Sequence, residues 1–219
     1  MNSYSQFHSH SKPLLEVRGI SKSYGERTIL HDVHFSLFPQ KLYALMGPSG
    51  SGKTTLLRIL LGLEKADSGE IRWNGIPAGN PVDTSHLHIS AVFQEDRLCE
   101  SFSPLENIQM ALPKKLPPAA LFQEMSRLLP AESLSRPVST LSGGMKRRTA
   151  ILRALLCPSD FVILDEPFTG LDEGTKEMVI HYILEKCENR LILFTTHQME
   201  DVSLMGAELL SVRESLQNT

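Results

Sequence analysis

The residues in this chain whose types and spacing could do chemistry begin with Gly47-Pro48-Ser49-Gly50-Ser51-Gly52-Lys53-Thr54, set between the apolar run Leu42–Met46 and the apolar helical pattern Leu56–Leu63. Glycines let the backbone turn its N–H groups inward, the following helix presents its positive end to a phosphate, and Lys53 can reach β- and γ-phosphate oxygens. Thr54 then falls where its hydroxyl can ligand Mg²⁺. The competing reading is an ordinary Gly-rich turn, and the strand before and helix after it are what argue against that reading.

A second cluster is Phe161-Val162-Ile163-Leu164-Asp165-Glu166, four apolar residues ending in two adjacent acids. Such a run is the habit of a parallel strand buried on both faces, which puts the acids at its C-terminal edge. Asp165 can hold the water shell of Mg²⁺, while Glu166, pointing the other way, can polarise a water for in-line attack on a γ-phosphate. The alternative is a plain strand-end turn before Pro167. A third cluster, Leu141-Ser142-Gly143-Gly144, opens a helix packed through Ile151, Leu152, Leu155 and Leu156. A hydroxyl and two glycines at a helix N-terminus suit an anion, and they equally suit a plain cap. The basic trio Lys146-Arg147-Arg148 opposes the macrodipole there, a cost to be met by bound polyphosphate or by water. Tyr24 is read as a turn aromatic or an adenine platform, Gln94 as a strand-end amide, and His197, after Leu191–Phe194 and Thr195-Thr196, as structural or as a phosphate contact.

The elements that must position these residues alternate as in an α/β protein. Strand character begins at Leu14, Leu15, Val17 and Ile20, and recurs at Val33, Phe35 and Leu37, at Leu42–Met46, at Glu70–Trp73 before the Asn74-Gly75 turn, and at Leu87–Phe93. A helix is predicted over Lys53–Leu63. Ser103-Pro104-Leu105-Glu106 is a capping box with Pro at the first helical position, starting a helix to about Leu112. From about Ser101 to Leu156 helical patterns broken by prolines read as an insertion into the α/β core. The expected organisation is a loose arm over residues 1–13, a core of residues 14–95 and 157–219, and a helical subdomain over 96–156.

The chain has 219 residues, 41% hydrophobic and 21% charged, the balance of a soluble globular protein with a sizeable core. Its formal net charge of -3 gives no general attraction to nucleic acid or to an anionic membrane surface, and no nucleic-acid partner is expected. No apolar run reaches the ~20 residues of a membrane span, and the polar start lacks a signal core, so a cytoplasmic chain is expected. Cys99, Cys157 and Cys187 match neither a disulfide framework nor a zinc pattern, and reduced, partly buried thiols are expected. His86 and His88 could share a strand face, but no nearby Cys, Asp or Glu completes a metal set.

Taken in order, Tyr24, GPSGSGKT, Gln94, LSGG, ILDEP, Gly170-Leu171-Asp172 and His197 resemble the ATP-binding-cassette ATPases from about Leu14 onward. The resemblance implies a RecA-like P-loop NTPase core with a small antiparallel β subdomain and an inserted helical subdomain, with ATP and Mg²⁺ as cofactors. It implies that Tyr24 stacks adenine and that Gly47 through Thr55 cradle the nucleotide. Lys53 and Thr54 would bind phosphate and metal, Asp165 would hold Mg²⁺, Gln94 would sense metal and water, Glu166 would be the general base and His197 the switch histidine. It also implies a head-to-tail dimer in which Ser142, Gly143 and Gly144 cap the nucleotide on the partner's loop and Asp172 contacts across the interface. Phe93-Gln94-Glu95-Asp96-Arg97-Leu98, with Pro104–Ile108 after it, is similar to importer ATPases of the nitrate, sulfonate and taurine type. That narrower likeness implies a separate transmembrane permease, with this chain peripheral on the inner face of the cell membrane and an external solute-binding protein acting through the permease. The sequence departs from the family at Met145, where the signature usually has Gln, and the short stretch after His197 leaves no room for a regulatory domain. The rival expectation is a non-transport cassette acting as a mechanical clamp or a regulatory module.

Overall fold

The computed structural model describes residues 12–85, 87–187 and 189–211. The arm expected over 1–13 lies outside them except for Lys12 and Pro13, as does His86. Strands β1 (Leu15–Tyr24) and β2 (Arg27–Leu37) pair antiparallel with Leu15 opposite Leu37 and Val17 opposite Phe35, so their apolar residues share one face. β4 (Ser68–Trp73) joins the free edge of β1 and turns at Asn74-Gly75, both with positive φ, into β5 (Ile76–Pro77). The second sheet contains β3 (Leu42–Met46), β6 (Ile89–Val92), β7 (Phe161–Leu164), β8 (Leu191–Thr196) and β9 (Glu208–Ser211), all parallel in the order β6-β7-β8-β3-β9. The α-helices are α1 (Lys53–Leu60), α2 (Pro104–Ala111), α3 (Pro118–Met125), α4 (Gly143–Leu156), α5 (Glu173–Lys186) and α6 (Met199–Met205). This is the P-loop NTPase arrangement with an antiparallel sheet beside it and α2 to α4 inserted between β6 and β7.

The alternation along the parallel strands divides the core into two layers. Phe161, Ile163, Leu191 and Leu193 face α1 and the antiparallel sheet through Leu56, Ile59, Leu60, Ile71 and Trp73. Their neighbours Val162, Leu164, Ile192 and Phe194 face the other way, against Ile151, Leu152 and Leu155 of α4 and Val179 and Ile183 of α5. β7 and the first four residues of β8, Leu191 to Phe194, are apolar throughout because both faces are covered.

Several expected boundaries move. α1 stops at Leu60 rather than Leu63, because Gly62 takes φ 69° and the N–H groups of Gly62 and Leu63 return to the carbonyls of Ile59 and Arg58, a Schellman closure. β6 is shorter than Leu87–Phe93, and Thr195 and Thr196 belong to β8 instead of following it. Strand β9 adds an edge partner to β3 that the sequence reading did not include. Of the thiols, Cys187 is buried, Cys157 half-buried and Cys99 exposed, so Cys99 departs from the expected partial burial. The basic trio has partners within the chain itself. Arg147 donates to the carbonyls of Phe93 and Gln94 at 2.6 Å each, Lys146 pairs with Glu100 at 3.1 Å, and Arg148 donates to the carbonyls of Gly144 and Leu128. Backbone carbonyls, with the carboxylates of Glu100 and Asp96, thus supply the compensation that the helix N-terminus denies these cations.

Candidate nucleotide-binding site

The C-terminal edge of the parallel sheet carries the chemistry. In spatial order it presents Gln94 just after β6, Asp165 and Glu166 after β7, His197 after β8, and the Gly47 loop after β3. Parallel strands all point their C-terminal ends the same way, so residues far apart in sequence meet on one rim.

The loop closes tightly. Gly52 caps α1 with φ 94°, and a Cβ there would stand 2.7 Å from a methyl of Leu30 and 2.9 Å from one of Ile29. A Cβ at Gly47 would meet Ser51 Oγ at 2.6 Å. Only glycine fits at position 52, and at position 47 a side chain would have to displace that of Ser51. Lys53, 6% exposed, bends back over the loop and donates to the carbonyls of Gly47 at 2.7 Å and Pro48 at 3.1 Å. Ser51 Oγ is buried with no hydrogen-bond partner. A cationic amine and the N-terminus of α1 therefore converge on one concavity, a donor set that fits a polyphosphate, with the unused Ser51 hydroxyl buried in the loop beside it. Tyr24, Arg27, Ile29, Ser49, Gly50, Gly52 and Lys53 line this cavity of about 260 Å³, together with Thr54, Thr55, Gln94 and Glu166.

Thr54 donates its hydroxyl to Asp165 Oδ2 at 3.0 Å, across 111 residues of sequence. Asp165 is 3% exposed and its other oxygen accepts from the Thr195 hydroxyl at 2.6 Å. A hydroxyl and a carboxylate oxygen side by side below the phosphate loop are hard oxygen donors, and they fit Mg²⁺. Glu166 takes φ 49°, its N–H donates to Thr195 Oγ1 at 2.8 Å, and Thr169 donates to its carboxylate at 3.3 Å. That left-handed turn takes the backbone out of the strand direction, and Glu166 lines a cavity that Asp165 does not.

Tyr24 is 50% exposed, so its ring keeps a free face, and its hydroxyl donates to Glu64. Partial desolvation, followed by that bond, pushes the phenol above its ordinary pKa. His197 lies elsewhere, on a cavity of about 430 Å³ bounded by Thr169, Gly170, Lys176 and Asp201, and Glu166 is the residue common to both cavities. Asp172 caps α5, accepting from the Thr175 N–H at 3.0 Å and the Thr175 hydroxyl at 2.8 Å, which in that order lower its pKa. Ser142 caps α4 by accepting from the Met145 N–H at 3.3 Å, and with Gly143 and Gly144 it lines neither cavity. The Met145 side chain packs against the layer between α4 and the sheet.

The structure thus brings Lys53, Thr54, Glu166, Gln94 and Tyr24 around one concavity, with Asp165 buried behind Thr54, and leaves Ser142–Gly144 apart from it. Sequence reasoning missed Arg27, Ile29 and the bridging part of Thr195. Thr195 carried a usable signal, a polar residue inside an otherwise apolar buried strand, which must find a partner.

A family model described as ABC transporter matches residues 30–169, which contain the loop, the signature segment and both acids. The chain belongs to the ABC transporter family. Among its relatives in that family, the Nod factor export ATP-binding protein I of Ralstonia nicotianae (strain ATCC BAA-1114 / GMI1000) is 36% identical over 91% of this chain and 64% of its own length. The spermidine/putrescine import ATP-binding protein PotA of Aggregatibacter actinomycetemcomitans is 33% identical over 93% of this chain and 56% of its own. The chain therefore spans 64% of the length of the first relative and 56% of the second. Among solved ABC structures, a nucleotide-free ATP-binding cassette from an ABC transporter superposes with TM-score 0.77 at 24% identity, covering 91% of this chain and 87% of that one. A post-hydrolysis dimer of the cassette MJ0796 bound to ADP and Pi superposes with TM-score 0.76 at 24% identity, covering 90% and 93%. At that identity the superpositions speak to the fold. Among the described residues, no helix is long and apolar enough to cross a membrane.

Proposed function

We propose that the chain binds ATP with Mg²⁺ and hydrolyses it, as the energising subunit of a transporter whose permease is a separate membrane protein. The observation that carries this reading is the convergence on one cavity of the Lys53 loop, Thr54 and Glu166, with Asp165 hydrogen-bonded to Thr54 behind it. Lys53 and the α1 N-terminus neutralise and orient the phosphates, and Tyr24 offers its free face to adenine. Thr54 and Asp165 would hold Mg²⁺, with Gln94 beside them. The ion, when bound, withdraws charge from the β- and γ-phosphate oxygens. Glu166 accepts a proton from the attacking water as its oxygen bonds to the γ-phosphorus and the bond to the β-phosphate oxygen breaks, releasing ADP and phosphate. His197 contacts the γ-phosphate from the neighbouring cavity, across Glu166.

In this proposal residues 14–95 and 157–219 form the nucleotide core and residues 96–156 the helical subdomain. Two copies pair head to tail, Ser142, Gly143 and Gly144 of each capping the nucleotide of the other, with Asp172 at the contact. The assembly sits on the inner face of the membrane. Import of a small solute, with an external binding protein and a likeness to the nitrate, sulfonate and taurine type, rests on the segments Phe93–Leu98 and Pro104–Ile108; the relatives are named for export in one case and import in the other.

The test separates binding from turnover. Glu166→Gln keeps the shape and hydrogen bonding of the side chain but cannot take up the proton, so ATP binding should persist while steady-state hydrolysis drops by about 100-fold or more. Near-normal phosphate release in that variant would remove Glu166 from the role of base.

A further inference from the structure

Strand β8 ends in two buried threonines, Thr195 at 0% exposure and Thr196 at 3%. A buried hydroxyl costs free energy unless it is partnered, so each needs an account. Thr196 donates to Asp201 and accepts from the Gln198 N–H at 3.1 Å, which fixes the entry to α6. Thr195 turns instead toward the end of β7, where one oxygen makes two contacts. It donates to Asp165 Oδ1 at 2.6 Å and accepts from the Glu166 N–H at 2.8 Å.

These contacts have different consequences. A carboxylate rotates easily about its terminal torsion, and pinning Oδ1 fixes its plane. With Oδ1 engaged, Oδ2 is the oxygen turned to Thr54, the arrangement a cation between them requires. Glu166, at φ 49°, is in a region that side chains with a Cβ avoid, and its N–H needs an acceptor to hold that turn. The turn is what sends the Glu166 side chain to both cavities.

We propose that Thr195 is a positioning residue of the phosphoryl-transfer site, one hydroxyl that sets both the carboxylate plane of Asp165 and the backbone of Glu166. The proposal rests on the ATP-hydrolysis reading above. Valine has the same shape as threonine without the hydroxyl, so Thr195→Val deletes both hydrogen bonds and leaves no cavity. Loss of a hydrogen bond to a charged group should weaken cation binding and slow cleavage by about tenfold each. Serine keeps the hydroxyl and should restore both.

The experiment uses the full chain as wild type, Thr195→Val and Thr195→Ser. Three quantities are measured: binding of a fluorescent ATP analogue in EDTA, Mn²⁺ affinity with a non-hydrolysable ATP analogue by the electron paramagnetic resonance of free Mn²⁺, and single-turnover ATP cleavage. The expected result for Thr195→Val is unchanged metal-free nucleotide binding, with weaker Mn²⁺ binding and slower cleavage, both recovered in Thr195→Ser. Wild-type Mn²⁺ affinity in Thr195→Val overturns the proposal. So does a parallel loss of metal-free nucleotide binding that serine does not rescue, because that is damage to the fold. A wild-type chain that neither binds Mn²⁺ with nucleotide nor cleaves ATP brings down the hydrolysis reading and this proposal with it, whereas an active wild type beside an indifferent Thr195→Val brings down this proposal alone.

Discussion

Lys53 holds its ammonium against two loop carbonyls, 2.7 and 3.1 Å away, and is buried while doing so. A charge in that place needs a stronger partner than two neutral acceptors, and a phosphate oxygen supplies one. Replacing it with alanine removes the cation and leaves the loop backbone intact, so Lys53→Ala should weaken ATP binding by about 10-fold to 100-fold with little change in melting temperature, by fluorescence titration and circular dichroism. Lys53, Thr54 and Asp165 were legible in the sequence because each belongs to a short segment whose own pattern encodes its chemistry, the Gly47–Thr54 loop or the apolar run ending at Asp165. Arg27 and the Thr195 bridge were not. Each depends on which strand neighbours which, and β8 becomes the neighbour of β7 only through pairing of residues about thirty positions apart, such as Ile163 with Leu193.

Helix entries were among the most legible features, since a cap is a local contract between residues three apart. Ser103 accepts from the Glu106 N–H at 3.3 Å, and Glu106 returns the contact on the Ser103 N–H at 2.8 Å. Ser103→Ala should cost about 1 kcal/mol in a denaturant melt. The backbone N–H of Ser103, then its hydroxyl, hold the Glu106 carboxyl below its ordinary value of 4.5. Because the folded pKa lies below the unfolded one, the stabilisation is present above about pH 4.5 and drains away as pH falls through the folded value. Glu106→Gln should therefore flatten that part of the acid limb of a stability–pH profile. Helix ends and strand ends were less legible. The end of α1 turns on a left-handed glycine two residues past the last helical position, and the extra length of β8 on burial of two threonines that look like loop residues. The helix N-terminus at α4 misled differently, since Arg147 is answered by the carbonyls of Phe93 and Gln94, a segment 53 or more residues away.

At the scale of the molecule, α1 lies on one face of the parallel sheet and α4 on the other. Helices packed on opposite faces stand on the order of 20 Å apart, farther than the phosphates of one nucleotide reach. In the proposed head-to-tail pairing, a phosphate cradled by the loop of one chain would meet the Ser142 helix of the other. Lys53→Ala and Ser142→Arg should each be nearly inactive alone. Mixed dimers place both defects in one composite site and none in the other, and should recover part of the single-turnover cleavage; no recovery in dimers shown to form and bind ATP, with cross-linking from position 142 to position 49 confined to one chain, would rule out the shared site. The two faces of β7 and β8 have another consequence. Each strand belongs to both apolar layers at once, with Ile163 in one and Val162 in the other. Neither layer can melt while its partner stays dry, so the sheet ties the helical insertion and the phosphate-side layer into one cooperative unfolding unit. The amides of Val162 and Ile163 should then exchange with deuterium only through global opening, and a cavity cut as far from the loop as Leu152 should accelerate exchange at Ile163 and Leu56 to the same extent.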